Sequence, residues 1–393
     1  MRFEFTEDQL VWRDEVRDFL RQNVTPELKE EKRNSDPVTN GPLAKAFLEK
    51  VEKKGWVGVG WPEEYGGMGE TMIKQFIFME EFRSAKAPAM GMTLTSLAPT
   101  IMQVGSEKMK KEWIPKIVSG EVELALGYSE PDAGSDLANL KTKAEIDGDE
   151  FVINGQKIWN SEGHVATHEF LACRTDPDAA KHKGISIILV PIDHPGVTVT
   201  PIHTWGDMRT NQVFFDNVRV PRDNLVGNLN EGWNYAMMAL NLERFDIGSI
   251  ADVRSLLVEL VEFLKETTID GEVLSKNILV RQHVAQLYAE LELCKWLCYA
   301  AASIIDEKQF PIKEMLMGKI MGSELKAKVG DIGTQLMGLY GQLRQHSKWV
   351  PLNGDLERLY RVAPFYRFGG GTNEILRDIV AQKGLQLPRA GVR

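Results

Sequence analysis

Tyr128-Ser129-Glu130-Pro131-Asp132-Ala133-Gly134-Ser135-Asp136 and, shortly after it, Lys157-Ile158-Trp159-Asn160-Ser161 are the segments that decide the fold of this chain. A third, Gly370-Gly371-Thr372-Asn373-Glu374, lies near the C-terminus. None is a phosphate loop, a metal cluster or a nucleophile elbow. Around the first two the sequence is β-rich. Short runs at Val122–Leu126, Thr142–Ile146, Phe151–Ile153, Phe170–Cys173, Ile185–Val190, Val197–Val199 and Val213–Phe215 are punctuated by Asp147-Gly148 and Asn154-Gly155, both read as hairpin turns. Before Gly120 the pattern is helical. Thr6-Glu7-Asp8-Gln9 reads as a capping box, with Trp12, Val16 and Phe19 at helical spacing, and Ser106 as another cap. From Gly232 helical spacing returns, with long segments around 233–265, 275–305 and 311–342. The expected class is α+β and mostly helical: a helical domain over 1–120, a β-domain over 121–230 and a helical bundle over 231–393.

Composition bounds the function. A chain of 393 residues with 43% hydrophobic content can bury large cores. With 47 basic against 56 acidic residues, the net charge of -9 argues against an electrostatic nucleic-acid binder. No apolar run reaches the roughly 18 residues that span a bilayer, so no integral membrane segment is expected. Met1-Arg2-Phe3-Glu4-Phe5 lacks the pattern of a signal or transit peptide. The three cysteines, Cys173, Cys294 and Cys298, suit a reducing compartment, and a cytoplasmic location is expected. Cys294 and Cys298, four apart, read better as small buried hydrophobes than as a metal or redox pair, and no metal site is expected.

Together the segments resemble the flavin-cradling strands of the acyl-CoA dehydrogenase family, over essentially the whole chain and in the same three-part order. The resemblance implies FAD as cofactor and loss of an α-proton and a β-hydride from an acyl-CoA thioester. It implies that Leu126, Tyr128, Ser129 and Gly134 face the flavin, with Trp159 shielding the ring and Ser161 bonding near N5. A strand tryptophan on a core face is the plain alternative for Trp159. Ser135 matches a position that contacts CoA. Gln335 and Gly338 belong to a turn that approaches FAD of a neighbouring subunit, in which Leu339 replaces a glycine. Thr372 and Glu374 match FAD-binding positions. The family's Arg-x-x-Phe-Gly segment has no clear counterpart here. Arg281 is a weak substitute for its arginine.

The base marks the subfamily. Most relatives place a glutamate where Phe368-Gly369-Gly370-Gly371-Thr372 has Gly370. Isovaleryl-CoA and long-chain dehydrogenases instead draw it from a Leu-Glu-Arg sequence on the first C-terminal helix, matched by Leu242-Glu243-Arg244. Glu243 falls at helical spacing from Ala236, Ala239, Leu240 and Ile247, so its carboxylate must be paired, neutralised or functional. A structural ion pair is the plain alternative. With glycine at 370, the resemblance favours Glu243 as base, its pKa raised by an apolar slot. Gly370 keeps the backbone N–H that holds the thioester oxygen. Arg244 and Asn241 match substrate-contacting positions.

His164 reads as a loop histidine before a catalytic one, and Lys181-His182-Lys183 as a solvated loop before a CoA-phosphate site. Arg174-Thr175-Asp176-Pro177 followed by Lys181-His182-Lys183-Gly184-Ile185-Ser186 resembles bacterial dehydrogenases for bulky or unusual acyl groups, including steroid side-chain and dicarboxylate-type esters. The expected acceptor is electron-transfer flavoprotein, and the expected assembly a homotetramer or a dimer of heterodimers. A non-catalytic partner subunit and an acyl-CoA oxidase are the competing readings.

Overall fold

Helical and extended segments alternate as the periodicities dictate. A computed structural model describes residues 4–36, 38–88, 90–269 and 271–389. Met1, Arg2 and Phe3, on which part of the N-terminal reading rests, lie outside them. The chain divides into two compact units, one of residues 1–29, 70–89 and 244–393, the other of residues 30–69 and 90–243. The first 120 residues are thus shared between the two, and the division falls within helix Gly232–Gly248.

The first unit is helical. Helix Glu7–Asn23 opens on the expected capping box, with Gln9 N–H donating to Thr6 Oγ1 at 3.3 Å and Thr6 N–H to Gln9 Oε1 at 3.0 Å. Its buried face is Trp12, Val16 and Leu20. Helices Ala251–Glu266, Ile278–Asp306, Ile312–Leu336 and Asp355–Phe368 share a core that includes Leu257, Leu260, Leu291, Val329 and Leu356. The helix expected over 233–265 is broken at Ser249 and Ile250. Ser249 Oγ donates to the buried Glu80 carboxylate at 2.7 Å. At the break the backbone comes so close to helix Ile312–Leu336 that a Cβ on Gly322 would lie 2.7 Å from Gly248 O. Tertiary approach overrides local helical preference here.

The second unit holds, among its described residues, an eight-stranded sheet. Its spatial order is Val197–His203, Arg209–Pro221, Glu150–Asn160, Lys143–Asp147, His168–Arg174, Ile185–Pro191, Leu225–Val226, with Leu124–Gly127 pairing in parallel to His168–Arg174. Asp147-Gly148 does turn a hairpin, since Asp147 pairs with Glu150 across it. Asn154-Gly155 does not. Gly155 lies inside strand Glu150–Asn160 at a register shift, with φ +150°. A Cβ there would stand 2.5 Å from Thr142 Oγ1, so the glycine serves a bulge and a close strand approach. Strands His168–Arg174 and Ile185–Pro191 are buried along nearly their whole length, and helix Glu107–Val118, capped by Ser106, packs into the same unit.

Candidate functional site

The opening segment leaves strand Leu124–Gly127 and turns at once. Glu130 and Ala133 exchange backbone hydrogen bonds at 3.0 Å, with Pro131 at the corner its fixed φ suits. The loop is then tied to strand Glu150–Asn160. Ile158 N–H donates to Ser129 O at 2.9 Å, and Lys157 Nζ donates to Tyr128 O at 3.0 Å and to Glu130 Oε1 at 2.8 Å. Lys157 is wholly buried and Glu130 nearly so. The Glu130 carboxylate also accepts the N–H groups of Lys141 and Thr142, at 2.6 and 2.8 Å. Burial pushes Glu130 upward, but the charge and hydrogen bond of Lys157, with these donors, hold it below the usual carboxylate range. The first two segments are therefore joined through a buried ion pair.

Past this tie the strand bulges. Its register against Arg209–Pro221 shifts between Ile158 and Asn160, and Trp159 takes φ +63°. A left-handed conformation costs a bulky residue about 1–2 kcal/mol and needs support from its surroundings. Asn160 supplies it. Its Nδ2 donates to Leu126 O at 3.1 Å and to both carboxyl oxygens of Glu169, while its backbone carbonyl accepts from Asn211 Nδ2 at 2.8 Å. The bulge turns the indole outward, 59% exposed, so Trp159 is no core tryptophan. Ser129 and Ser161 are half-buried, and their side chains have no hydrogen-bond partner among the described residues. The Tyr128 hydroxyl is buried and also unpartnered. Leu126 is half-buried, and Gly134 and Ser135 are exposed on the loop, where Asp136 pairs with Lys181 at 2.5 Å.

Glu169 carries a consequence for stability. Burial pushes its carboxyl up to about 8, against the opposing Asn160 bonds and Lys157 charge. Glu162, raised to about 7 by burial and by the charges of Glu123 and Glu243, acts in the same sense. The folded protein keeps these protons while the unfolded chain releases them near 4.5, so stability present below that pH is lost as pH rises through about 7 to 8. Melting temperature should fall between about pH 5 and pH 9, and Glu169→Gln should flatten the decline. An equally steep decline in the variant would acquit Glu169.

In the same unit, Glu243 lies on helix Gly232–Gly248, whose Ala236 and Ala239 are buried and whose Leu240 packs on the unit's apolar cluster. Glu243 is half-buried with Oε2 shielded from solvent, and Asn241 is half-buried. Burial and the Glu243 charge raise the Tyr128 hydroxyl well above the usual phenol range, so Tyr128 stays a neutral donor. In the first unit, the buried Arg244 donates Nε to Gly370 O at 2.7 Å. Gly370 and Gly371 take φ +66° and +100°, conformations suited to glycine. Thr372 caps helix Asn373–Ile379 through a 3.2 Å bond from Ile375 N–H, and Glu374 is exposed beside it. Gln335 and Gly338 are exposed at the end of helix Ile312–Leu336, Gln335 Nε2 donating to Asp331 at 3.0 Å. Arg281 is exposed, with one bond of 3.4 Å to Ser275 O.

The structure gives His164 a structural setting, 3.1 Å from Asn211 Nδ2 and 4.0 Å from Asp36. His182 stacks edge-on with Trp233. All three cysteines are free and buried. Among the described residues no group of three or more His, Cys, Asp or Glu could hold a metal ion, and no helix is long and apolar enough to cross a membrane. Sequence reasoning missed the Glu130–Lys157 tie, the Glu169–Asn160 support and Lys319. For Lys319 a signal existed: a lysine on the helical stripe of Leu316, Ile320 and Ser323.

Comparison with known proteins adds the following. Family models described as acyl-CoA dehydrogenase N-terminal, middle and C-terminal domains match residues 6–121, 125–218 and 230–385. Acyl-CoA dehydrogenase FadE26 of Mycobacterium tuberculosis is 36% identical over 399 residues, covering 99% of this chain and 100% of its own. The structure of the Tcur3481-Tcur3483 steroid ACAD matches with a TM-score of 0.91 at 35% identity, over 99% of this chain and 100% of that one. The ChsE4-ChsE5 complex from Mycobacterium tuberculosis matches with a TM-score of 0.90 at 36% identity, over 99% and 100%.

Proposed function

The chain belongs to the acyl-CoA dehydrogenase family and is an oxidoreductase that dehydrogenates acyl-CoA thioesters, and we propose that Glu243 is its base and a bulky, ring-bearing acyl group its substrate. FAD is the cofactor, and when bound it supplies the acceptor for the β-hydride. The residues present fit a flavin: two hydroxyls without a protein partner, at Ser129 and Ser161, and between them in sequence an indole held outward on a strained bulge. Leu126, Tyr128 and Gly134 join them in the same unit, and Thr372 and Glu374, with Gln335 and Gly338 toward the FAD of a neighbouring subunit, are the further positions that would hold it. The outward Trp159 carries the cofactor reading, because strain is retained where the surroundings over-determine it for a use.

Glu243 takes the α-proton. Its neighbour Arg244 holds Gly370 O, leaving the Gly370 N–H to donate to the thioester oxygen and stabilise the charge that develops there. Tyr128, neutral and buried, adds an O–H donor close enough to feel the Glu243 charge. Asn241 and Ser135 contact the acyl or pantetheine part. A bulky acyl group suits glycine at 369, 370 and 371, and the similarity to a structure named as a steroid ACAD supports it. The protein works in the cytoplasm and passes electrons to electron-transfer flavoprotein.

Assembly with further subunits, as a homotetramer or a dimer of heterodimers, is what the exposed apolar residues favour. Leu339, 82% exposed in the turn after Gln335, together with Ile278, Leu279 and Leu293 on helix Ile278–Asp306, leaves apolar area that a partner subunit would cover. In a dimer of heterodimers a second chain would be available for the phosphate contact for which Arg281 is a poor candidate. Anaerobic titration of the purified chain with linear, branched and ring-bearing acyl-CoAs tests the reading. Bleaching of the flavin, strongest with ring-bearing esters, is the expected result. A chain that carries no flavin when expressed alone would favour the partner-dependent form, and strongest bleaching by linear esters would reject the bulky substrate.

A further inference from the structure

Lys319 has no exposed surface, yet it lies on helix Ile312–Leu336 among Leu316 and Ile320. A buried ammonium is costly unless saturated with acceptors. Its Nζ donates to Gly371 O at 2.8 Å, to Asn373 Oδ1 at 2.9 Å and to Arg367 O at 3.2 Å. These acceptors are the last turn of helix Asp355–Phe368, the glycine turn, and the first residue of helix Asn373–Ile379. Asn373, itself fully buried, is held in turn by Ser323 Oγ at 3.0 Å and Glu324 at 3.2 Å. On the other side, Arg244 Nε grips Gly370 O, and a Cβ on Gly371 would lie 3.4 Å from Arg244 Nη2. Two cations thus hold successive carbonyls.

Glycine has the widest choice of φ, so the direction of the Gly370 N–H depends on what restrains its neighbours. We propose that Lys319 is a positioning residue for the reaction, holding the Gly370 turn so that its N–H meets the thioester oxygen. Its charge also offsets the negative C-terminal end of helix Asp355–Phe368, which would otherwise oppose charge building up on that oxygen. The inference rests on the role given above to the Gly370 N–H.

The test uses 4-hydroxycinnamoyl-CoA, a conjugated thioester whose absorption moves to the red as its carbonyl is polarised. Bound to the wild-type protein it should shift red. Lys319→Gln should show a smaller shift, with kcat for the best acyl-CoA reduced by about ten- to a hundredfold and KM changed by less than about threefold. Asn373→Ala, which keeps the ammonium and removes one acceptor, should give an intermediate shift. If Lys319→Gln does not fold, Asn373→Ala decides: a wild-type shift in it overturns the inference. Equal shifts in all three proteins overturn it too, as does a rise in KM at unchanged kcat. A wild-type complex with no red shift overturns the Gly370 assignment itself.

Discussion

Glu243→Gln should keep the fold and the flavin while turnover falls by at least about a hundredfold, the scale for losing a positioned base. Glutamine preserves the volume and the hydrogen-bonding reach of glutamate, so packing on helix Gly232–Gly248 is retained. What it lacks is a basic carboxylate. No glutamate stands at the position of Gly370 to replace it. Stopped-flow reduction of the flavin by substrate, with the oxidised flavin spectrum as a check on occupancy, reads the effect directly. Near-full turnover would reject Glu243 as the base and return the search to other carboxyls, of which Glu162 is already protonated up to about pH 7. The same variant should also relax Tyr128, since one contribution raising that hydroxyl is the Glu243 charge.

Lys157→Met should destabilise the protein by about 3–5 kcal/mol, the cost of leaving a buried partner charge without its counterion. Methionine fills much of the lysine volume, so the loss is electrostatic. Glu130 keeps the N–H groups of Lys141 and Thr142 but loses its cation, and Tyr128 O loses a donor. In a unit of this size the melting temperature falls on the order of 10 °C. Adding Glu130→Gln to Lys157→Met should restore part of the loss, because it removes the stranded charge. A drop below about 1 kcal/mol would put the pair in the class of surface salt bridges. Since the tie holds the loop that bears Ser129 against the strand that bears Trp159, flavin retention should fall with stability.

The two effects differ in how far the sequence announced them. Glycine at 370 and glutamate at 243, the pair on which the proposed base rests, are visible in the sequence because each occupies a motif of a few adjacent residues. The β-rich runs and the capping box of Thr6 were equally legible, since side-chain period and cap chemistry are set by residues within a turn or a strand of one another. Asn154-Gly155 shows the limit. Its dipeptide has the chemistry of a turn, and only the pairing of both flanks with strand Arg209–Pro221 makes it a bulge. The helix break at Ser249 has a similar origin, in a glycine of helix Ile312–Leu336 that admits the backbone of another helix.

The sequence by itself determined the order of helical and β segments and the membership of the flavin-type motifs, and it carried the expectation of a base at Glu243, all from neighbours along the chain. The tertiary structure alone decided which way Trp159 points, which lysine neutralises Glu130, why Glu169 keeps its proton and what holds the Gly370 turn. The bonds that hold these groups in place join residues 9 to 126 positions apart. Burial and charge pairing at such distances arise only when the strands and helices are brought together, so no local pattern can carry them.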